Sequence, residues 1–453
     1  MKNNLRGLQK LALPIMLIVL GFLIWANYTE LRSPGFEARE IVLPSFTPKP
    51  EITPRPETIT LPLPRAENTV SITLAAAGDT VVHSGLNTQA WADGGEVYDY
   101  TKIFEGAAKH FKSADFAVAT LETVLAGDHD ISAYPMFRSP DALAESLALS
   151  GISLVNTATN HVMDGRFKSG IDRTLDRIEA AGMEHVGTYR TLEDRTRTSG
   201  ITIVETDGIK IAFLSYTYGT NGIPLYTYDS NDPNRRPLES FEYAVNTFNR
   251  NYASMPAPPS EVRYDQLRTD METARGIGAD IIAVFMHWGT EYEITPNETQ
   301  ISLADFLFAE GADIILGSHP HVPQPIELRY VTDRDGNERI GFIIYSLGNF
   351  VSCMHEREYA DLTSILNIEI EKNQDTGETY IWDVSYAPMY MADFGENAAI
   401  ETGVRYRLLD IHEAIAAHES GANELDAALY EKLRKGLDDL HGILGKEYDA
   451  HYK

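Results

Sequence analysis

The chain has 453 residues, 43% of them hydrophobic and 10% aromatic, which is enough to bury a large core in two or three domains or one large α/β unit and excludes a disordered chain. Its single cysteine, Cys353, excludes an intramolecular disulfide framework and any multi-thiolate zinc site. The net charge of −28 sits beyond residue 69, because residues 1–69 hold eight Lys and Arg against six Asp and Glu and leave −30 on the rest, so neither nucleic acid nor an anionic membrane surface is drawn to it at long range.

Residues 1–28 place Lys2, Arg6 and Lys10 ahead of LALPIMLIVLGFLIWANY. This nearly uncharged run is about 18 residues long, near the minimum that crosses a bilayer. A cleaved secretory signal is the alternative, with an apolar core of about 7 to 15 residues and a small-residue cleavage site. Ala26 is the only small residue near the end, and Trp25 and Tyr28 suit an interfacial belt, so a retained transmembrane helix is expected. Positive charge before the span puts the N-terminus in the cytoplasm and the remainder outside, as a single-pass protein of the cell membrane. Residues 29–69 are rich in proline and read as a semi-rigid extracellular linker.

From residue 70 strands and helices alternate, which predicts a largely parallel sheet covered by helices. Strands are expected at residues 70–77, 116–120, 153–157, 279–287 and 313–317. Helices are expected at 100–111, 140–150, 170–181, 264–276 and 299–310. Residues 201–205 and 210–216, split by Asp207-Gly208, form a hairpin signal, as do 327–330 and 340–346 around Asp335-Gly336. Residues 221–260, rich in Tyr, Pro and Asn, read as an inserted loop over one face of a domain spanning 70–400. Two helices, 408–418 and 424–444, close the chain in a C-terminal extension over 401–453.

Polar side chains of one chemical type recur at the predicted strand ends. Asp79 ends AAAGDT, Glu122 lies in ATLET, Asn160 and His161 in NTATNHVMDG, His287 in VFMHWG, and His319 and His321 in GSHPH. In open α/β sheets ligands lie outside the carboxyl ends of strands, so these residues converge if the fold is of that kind. Carboxylate, amide and imidazole together suit hard or borderline divalent cations, and a bridging carboxylate holds two of them about 3.5 to 4 Å apart. Glu122 or Asp79 is the candidate bridge. The imidazoles of His319 and His321 share a face in a strand, whereas in a loop held by Pro320 they reach different ions. His161 suits a proton donor to a leaving group. Asp164 either orients it or caps the next turn. Arg138 and Arg166 are the cationic candidates for a phosphate or carboxylate, with surface ion pairing as the competing role. Trp288, Glu291 and Tyr292 line a cleft or simply support it, and Ser346, Gly348 and Asn349 are candidates for the floor.

The ordered set GD, LET, TNHVMDG, HWGTEYE, GSHPHVPQPIE and YSLGNFV, over about residues 70 to 395, resembles the CapA family of poly-γ-glutamate capsule biosynthesis proteins, which are related to metallophosphoesterases. The resemblance implies a calcineurin-like αββα sandwich of the α/β class, with two divalent ions of manganese, iron or zinc. Their ligands are then Asp79, Glu122, Asn160, His287, His319 and His321, with His161 and Asp164 catalytic. It also implies work at the outer membrane face on an anionic polymer such as poly-γ-glutamate, alongside capsule-synthesis membrane proteins. An extracellular phosphoesterase is the alternative. Two departures stand out. Val81 occupies the position of the histidine that general metallophosphoesterases carry two residues after the first aspartate, which weakens the first ion site; His83, two residues further on, either substitutes for it or, as the favoured reading, lies at the surface or behind the ligands. Thr120-Leu121-Glu122 stands for Asn-Leu-Glu and keeps the carboxylate.

Overall fold

The computed structural model describes residues 59, 67–165, 167–228, 237–249, 261–422 and 425–453. The expected anchor at 1–28 lies outside them, as do nearly all of the linker and Arg166. No helix among the described residues is long and apolar enough to cross a membrane.

The strands in chain order are β1 (Thr69–Thr80), β2 (Phe116–Leu121), β3 (Val124–Leu125), β4 (Arg138–Ser139), β5 (Leu154–Asn156), β6 (Glu184–Val186), β7 (Thr202–Thr206), β8 (Ile209–Thr217) and β9 (Tyr226–Tyr228). They continue as β10 (Pro237–Ser240), β11 (Ile281–His287), β12 (Ile314–Ser318), β13 (Pro323–Thr332), β14 (Glu338–Leu347), β15 (Asn349–Val351), β16 (Leu362–Asn373), β17 (Thr379–Asp393) and β18 (Tyr406–Asp410). The helices are α1 (Ser84–Gly94), α2 (Glu105–Ser113), α3 (Ala142–Ser150), α4 (Lys168–Ala180), α5 (Leu192–Thr198), α6 (Tyr264–Gly276), α7 (Glu298–Ala309), α8 (Gly395–Thr402), α9 (Ile411–Glu419) and α10 (Ala427–Leu440).

Two sheets dominate. One runs β18-β17-β16-β1-β2-β5-β6 with β15 also on β1, and the other runs β13-β14-β12-β11-β8-β7. The centres are parallel, as the alternation predicts, through β1/β2/β5/β6 and β8/β11/β12/β14. Antiparallel pairs flank them, β1/β16/β17/β18 in the first sheet and β13/β14 and β7/β8 in the second, and of these β16/β17, β13/β14 and β7/β8 are hairpins, while β6 is a parallel edge. At the β7–β8 turn Asp207 and Gly208 both have positive φ, 49° and 77°, the geometry of a primed two-residue turn.

Strands buried on both faces need cover on both sides. Ile72, Leu74, Ala76 and Val118 of the first sheet meet Ile211, Phe213, Ala283, Phe285, Ile314 and Leu316 of the second in one inter-sheet core. Ala75, Ala117 and Ala119 face outward onto Leu86 of α1, Phe111 of α2, Leu147 of α3 and Leu175 of α4. Leu214, Val284 and Ile315 face outward onto Met271 of α6 and Leu307 of α7. The layers are therefore helix, sheet, sheet, helix, in a mixed α/β fold.

Three differences from the expected elements have physical causes. β16 and β17 follow one another with no helix between them, so they fall outside the alternating scheme. Residues 408–410 end β18 rather than opening a helix, since the Asp410 side chain accepts from the Glu413 N–H and caps α9 at its start. The described part of the 221–260 insertion is packed rather than draped: Phe241 and Val245 are buried against the first helical layer and Phe248 against the second.

Candidate metal centre

Backbone contact sets the first donor. Asp79 lies at the end of β1, in register with Thr120 of β2 on one side and Asn349 of β15 on the other. Its N–H donates to the Gly348 carbonyl at 2.9 Å. A Cβ on Gly78 would sit 1.9 Å from that same oxygen, and Gly348 itself has φ of 71°, so both glycines permit the approach that turns Asp79 inward. Glu122 follows β2, His287 ends β11, and His319 and His321 follow β12.

The donors meet in a buried cluster. Asp79, Glu122 and His287 are fully buried and Asn160, His319 and His321 nearly so. His287 Nε2 lies 3.5 Å from Glu122 Oε1, and its Nδ1 lies 3.8 Å from Asp79 Oδ1. His321 Nδ1 lies 3.9 Å from Glu122 Oε2 and 4.0 Å from Asp79 Oδ2. Asn160 presents its amide oxygen 2.8 Å from His287 Nε2. Two groupings have ligand atoms within 4.8 Å of one another: Glu122 with His287 and His319, and Asp79 with Glu122 and His321. Glu122 belongs to both. A third joins Glu291, at the mouth, to His319 and His321.

The polar atoms of this cluster fit divalent cations. Asp79 Oδ1, both Glu122 oxygens and His319 Nδ1 are buried without a hydrogen-bond partner, and a buried unpaired polar atom costs about 1 to 3 kcal/mol. Burial, then the Glu122 charge, pushes the Asp79 carboxyl up to about 8, and burial pushes Glu122 up to about 8. Burial draws His287 down to about 4, His321 to about 3 and His319 well below the ordinary imidazole value. These imidazoles are neutral at physiological pH, the form that ligates. Two or three carboxylate oxygens and neutral imidazoles around one point are a donor set for a divalent metal rather than for an apolar ligand.

Neighbours hold the donors in place. Ser318 Oγ lies 2.8 Å from His287 Nδ1, and Asn349 Oδ1 lies 3.0 Å from His321 Nδ1 while its amide nitrogen donates to the His321 carbonyl. The His319 N–H donates to Asp79 Oδ2 at 2.8 Å. His319 and His321 have φ of 95° and 61°, and Tyr292 opposite them has 65°. Such backbone costs on the order of 1 to 3 kcal/mol per residue and persists where surroundings enforce it. Left-handed turns around Pro320 point both imidazoles into the cluster from a loop, and of the two groupings that share Glu122 one takes His319 and the other His321.

His161 lies at the rim with Nδ1 2.7 Å from Asp164 Oδ2 and Nε2 4.0 Å from Glu122 Oε1. Asp164 also accepts from the Phe137 N–H at 2.5 Å, so this carboxylate orients His161 and ties it to the β4 segment. Burial alone would lower the His161 imidazolium, but the bond to Asp164 and the Glu122 charge outweigh it and the net displacement is upward. Arg138 points its guanidinium at Asp130, with Nε 3.0 Å from the carbonyl and Nη2 3.3 Å from the carboxylate. His83 bonds backbone instead, at Val81 O and Cys353 N, and burial draws it down to about 4. Val81 is buried with nothing to ligate.

Three contacts have no sequence signal of their own. Asn221 Oδ1 accepts from the Asn160 amide at 3.1 Å and fixes which way Asn160 faces. The Tyr218 ring lies 4.8 Å from that of His319. Arg357, exposed, stacks its guanidinium 4.7 Å over the Tyr292 ring, which is itself 6.0 Å from His321.

The profile of a family described as bacterial capsule synthesis protein PGA_cap matches residues 73–354, more than half of the chain. The PGA biosynthesis protein CapA of Bacillus subtilis (strain 168) is 32% identical over 199 residues, 44% of this chain and 42% of that protein. The capsule biosynthesis protein CapA of Bacillus anthracis is 28% identical over 202 residues, 45% of this chain and 40% of that protein. The match thus spans about two fifths of the length of these curated relatives. Among solved structures, the calcineurin-like phosphoesterase YfkN of Bacillus subtilis aligns with a TM-score of 0.35 and 13% identity, covering 71% of this chain and 90% of that one.

Proposed function

The chain belongs to the bacterial capsule synthesis protein family, and we propose that within it this protein is a membrane-anchored, outward-facing component that handles an anionic polymer of the poly-γ-glutamate type at a dinuclear divalent-metal centre. The observation that carries the reading is Glu122: it is buried, both its oxygens lack partners, and it is shared by two donor groupings. In this reading Glu122, His287, His319 and Asn160 would hold one ion, and Glu122, Asp79 and His321 would hold the other. Bound there, the ions would supply Lewis-acid charge toward carboxylate or phosphoryl oxygens and toward water.

The chain's own residues do the rest. Ser318 on Nδ1 keeps the His287 imidazole oriented with Nε2 toward Glu122, the supporting role that fixes ring angle and basicity in metal sites, and Asn349 holds the His321 ring and carbonyl in place. Asp164 holds the Nδ1 proton of His161, which leaves Nε2 turned toward Glu122 Oε1, 4.0 Å away, and able to deliver a proton to a leaving oxygen. Arg357 on Tyr292 offers a cation at the rim, and guanidinium grips carboxylate in bidentate fashion. A chain carrying −28 overall repels polyglutamate at long range, and charges beyond about 8 to 10 Å are screened at physiological salt, so attraction has to be local and comes from the ions and Arg357.

The His161–Asp164 pair favours a second reading, hydrolysis of a phosphoester outside the cell, because polymer holding alone has no use for an oriented proton donor. One experiment addresses both. Binding of poly-γ-glutamate and turnover of a panel of phosphoesters are measured with manganese, zinc or iron present and after chelation. Polymer binding that disappears with the metal supports the first reading, and metal-dependent turnover supports the second. Binding unchanged by chelation, with no turnover, contradicts both.

A further inference from the structure

A second cluster of metal-type donors lies in the C-terminal region, outside the matched residues 73–354 and independent of the function proposed above. His412 stands in the first turn of α9, His441 directly follows α10, and Asp449 lies between two short turns near the end of the chain. His412 Nε2 lies 2.8 Å and His441 Nε2 2.7 Å from the same oxygen, Asp449 Oδ2.

The packing pins all three. Ile411 and Leu440, the neighbours of the two histidines, are fully buried in the inter-sheet core, and Asp449 is itself fully buried. Asp449 bridges to Tyr386 of β17, and the Tyr386 hydroxyl donates to the Gly445 carbonyl at 3.2 Å. The other carboxylate oxygen, Oδ1, accepts from the His451 N–H at 2.9 Å, which turns Oδ2 toward the imidazoles. The His451 ring stacks on His412 with centroids 4.2 Å apart and walls one side. The histidine side chains remain 17% and 13% exposed, so their edges are open to solvent.

We propose that His412, His441 and Asp449 form a second metal site that takes one divalent transition ion of the zinc type. Two imidazole nitrogens and one carboxylate oxygen are three ligands of a tetrahedral zinc site with its fourth position open. The donor set is too nitrogen-rich for magnesium or calcium, which bind through oxygen. The ion would staple α9, α10 and the last residues to the edge of the first sheet, and its binding energy would add to folding energy.

The competing arrangement is a hydrogen-bonded latch in which both imidazoles donate to Asp449. His441→Gln separates the two, because glutamine keeps an N–H donor for the carboxylate but is a poor zinc ligand. In the purified full-length protein, zinc content is measured after equilibration, together with the unfolding midpoint with and without zinc. The site predicts that His441→Gln binds one zinc per chain fewer than wild type and loses part of the zinc-dependent rise in midpoint. It also predicts that the Asp79→Asn, Glu122→Gln double variant still binds one zinc per chain. Wild-type zinc content in His441→Gln, or no zinc in the double variant, overturns the site and leaves the latch.

Discussion

Replacing Glu122 by glutamine keeps shape and removes the one carboxylate common to both donor groupings, so it tests the bridge more sharply than any histidine change. Two opposite effects follow. In chelator at pH 9, above the value of about 8 to which burial pushes this carboxyl, wild type holds an uncompensated buried charge that costs about 3 to 5 kcal/mol. Glutamine replaces it with a neutral amide whose unpaired atoms cost about 1 to 3 kcal/mol. The variant is therefore more stable than wild type by about 2 kcal/mol without metal. The folded carboxyl value lies above its unfolded one, so wild type loses stability as pH rises toward 8 and the gap closes as pH falls and the acid form returns. With metal at about a hundred times its dissociation constant, each ion adds about 2.7 kcal/mol to wild type and nothing to a variant that cannot hold it. The order of stabilities then inverts. Denaturant titration in both conditions, with metal content by elemental analysis, reads the inversion. A variant less stable than wild type in chelator, or one that keeps two ions, refutes the reasoning.

Other changes separate the roles of neighbouring groups. His161→Gln leaves metal content unchanged and lowers any phosphoester turnover by about 100- to 10,000-fold, the usual contribution of a positioned proton donor; loss of metal instead would make His161 a ligand. Arg357→Ala weakens poly-γ-glutamate binding without changing metal content, and equal affinity in titration calorimetry removes it from the rim. Asp410 is a stability test away from the site. Burial raises its carboxyl, but bonds from His110, the Glu413 N–H and Lys109 bring it down to about 2, a depression from 3.8 worth about 2 kcal/mol. That stability is present above the unfolded value and is lost as pH falls through about 2, so Asp410→Asn costs about 2 kcal/mol at pH 7, a fraction of that at pH 2 and almost nothing at about pH 1. A constant difference across that range contradicts the assignment.

The parts of the fold carried by local pattern were legible in the sequence. Period and turn chemistry place β1, β11, β12 and both hairpins, because burial of strand faces and the positive φ at Asp207-Gly208 are properties of neighbouring residues. β16 and β17 are the longest exception, a pair joined without a helix. α1 is another, since SGLNTQAWADG has little apolar periodicity and buries Asn87 and Gln89 alongside Leu86 and Ala90.

At the site, the donor types and strand-end positions are visible in the chain, but which carboxylate lies between the two groupings is not. That depends on Asp79 standing beside Thr120 and Asn349 in register and on two left-handed turns around Pro320, which are relations across the sheet. The same holds for Asn349 on His321, Ser318 on His287 and Asn221 on Asn160, polar partners that lie 28, 31 and 61 positions away. Arg138, chosen for its charge alone, turns toward Asp130, whereas Arg357 gains its place only through Tyr292.

The central claim is that two ions flank Glu122. Crystals grown or soaked with manganese and measured at the metal absorption edge give the most direct test. Two anomalous peaks are predicted, both within bonding distance of a Glu122 oxygen, one beside His287 and His319 and the other beside Asp79 and His321. A single peak, or peaks that leave Glu122 uncoordinated, would contradict the account.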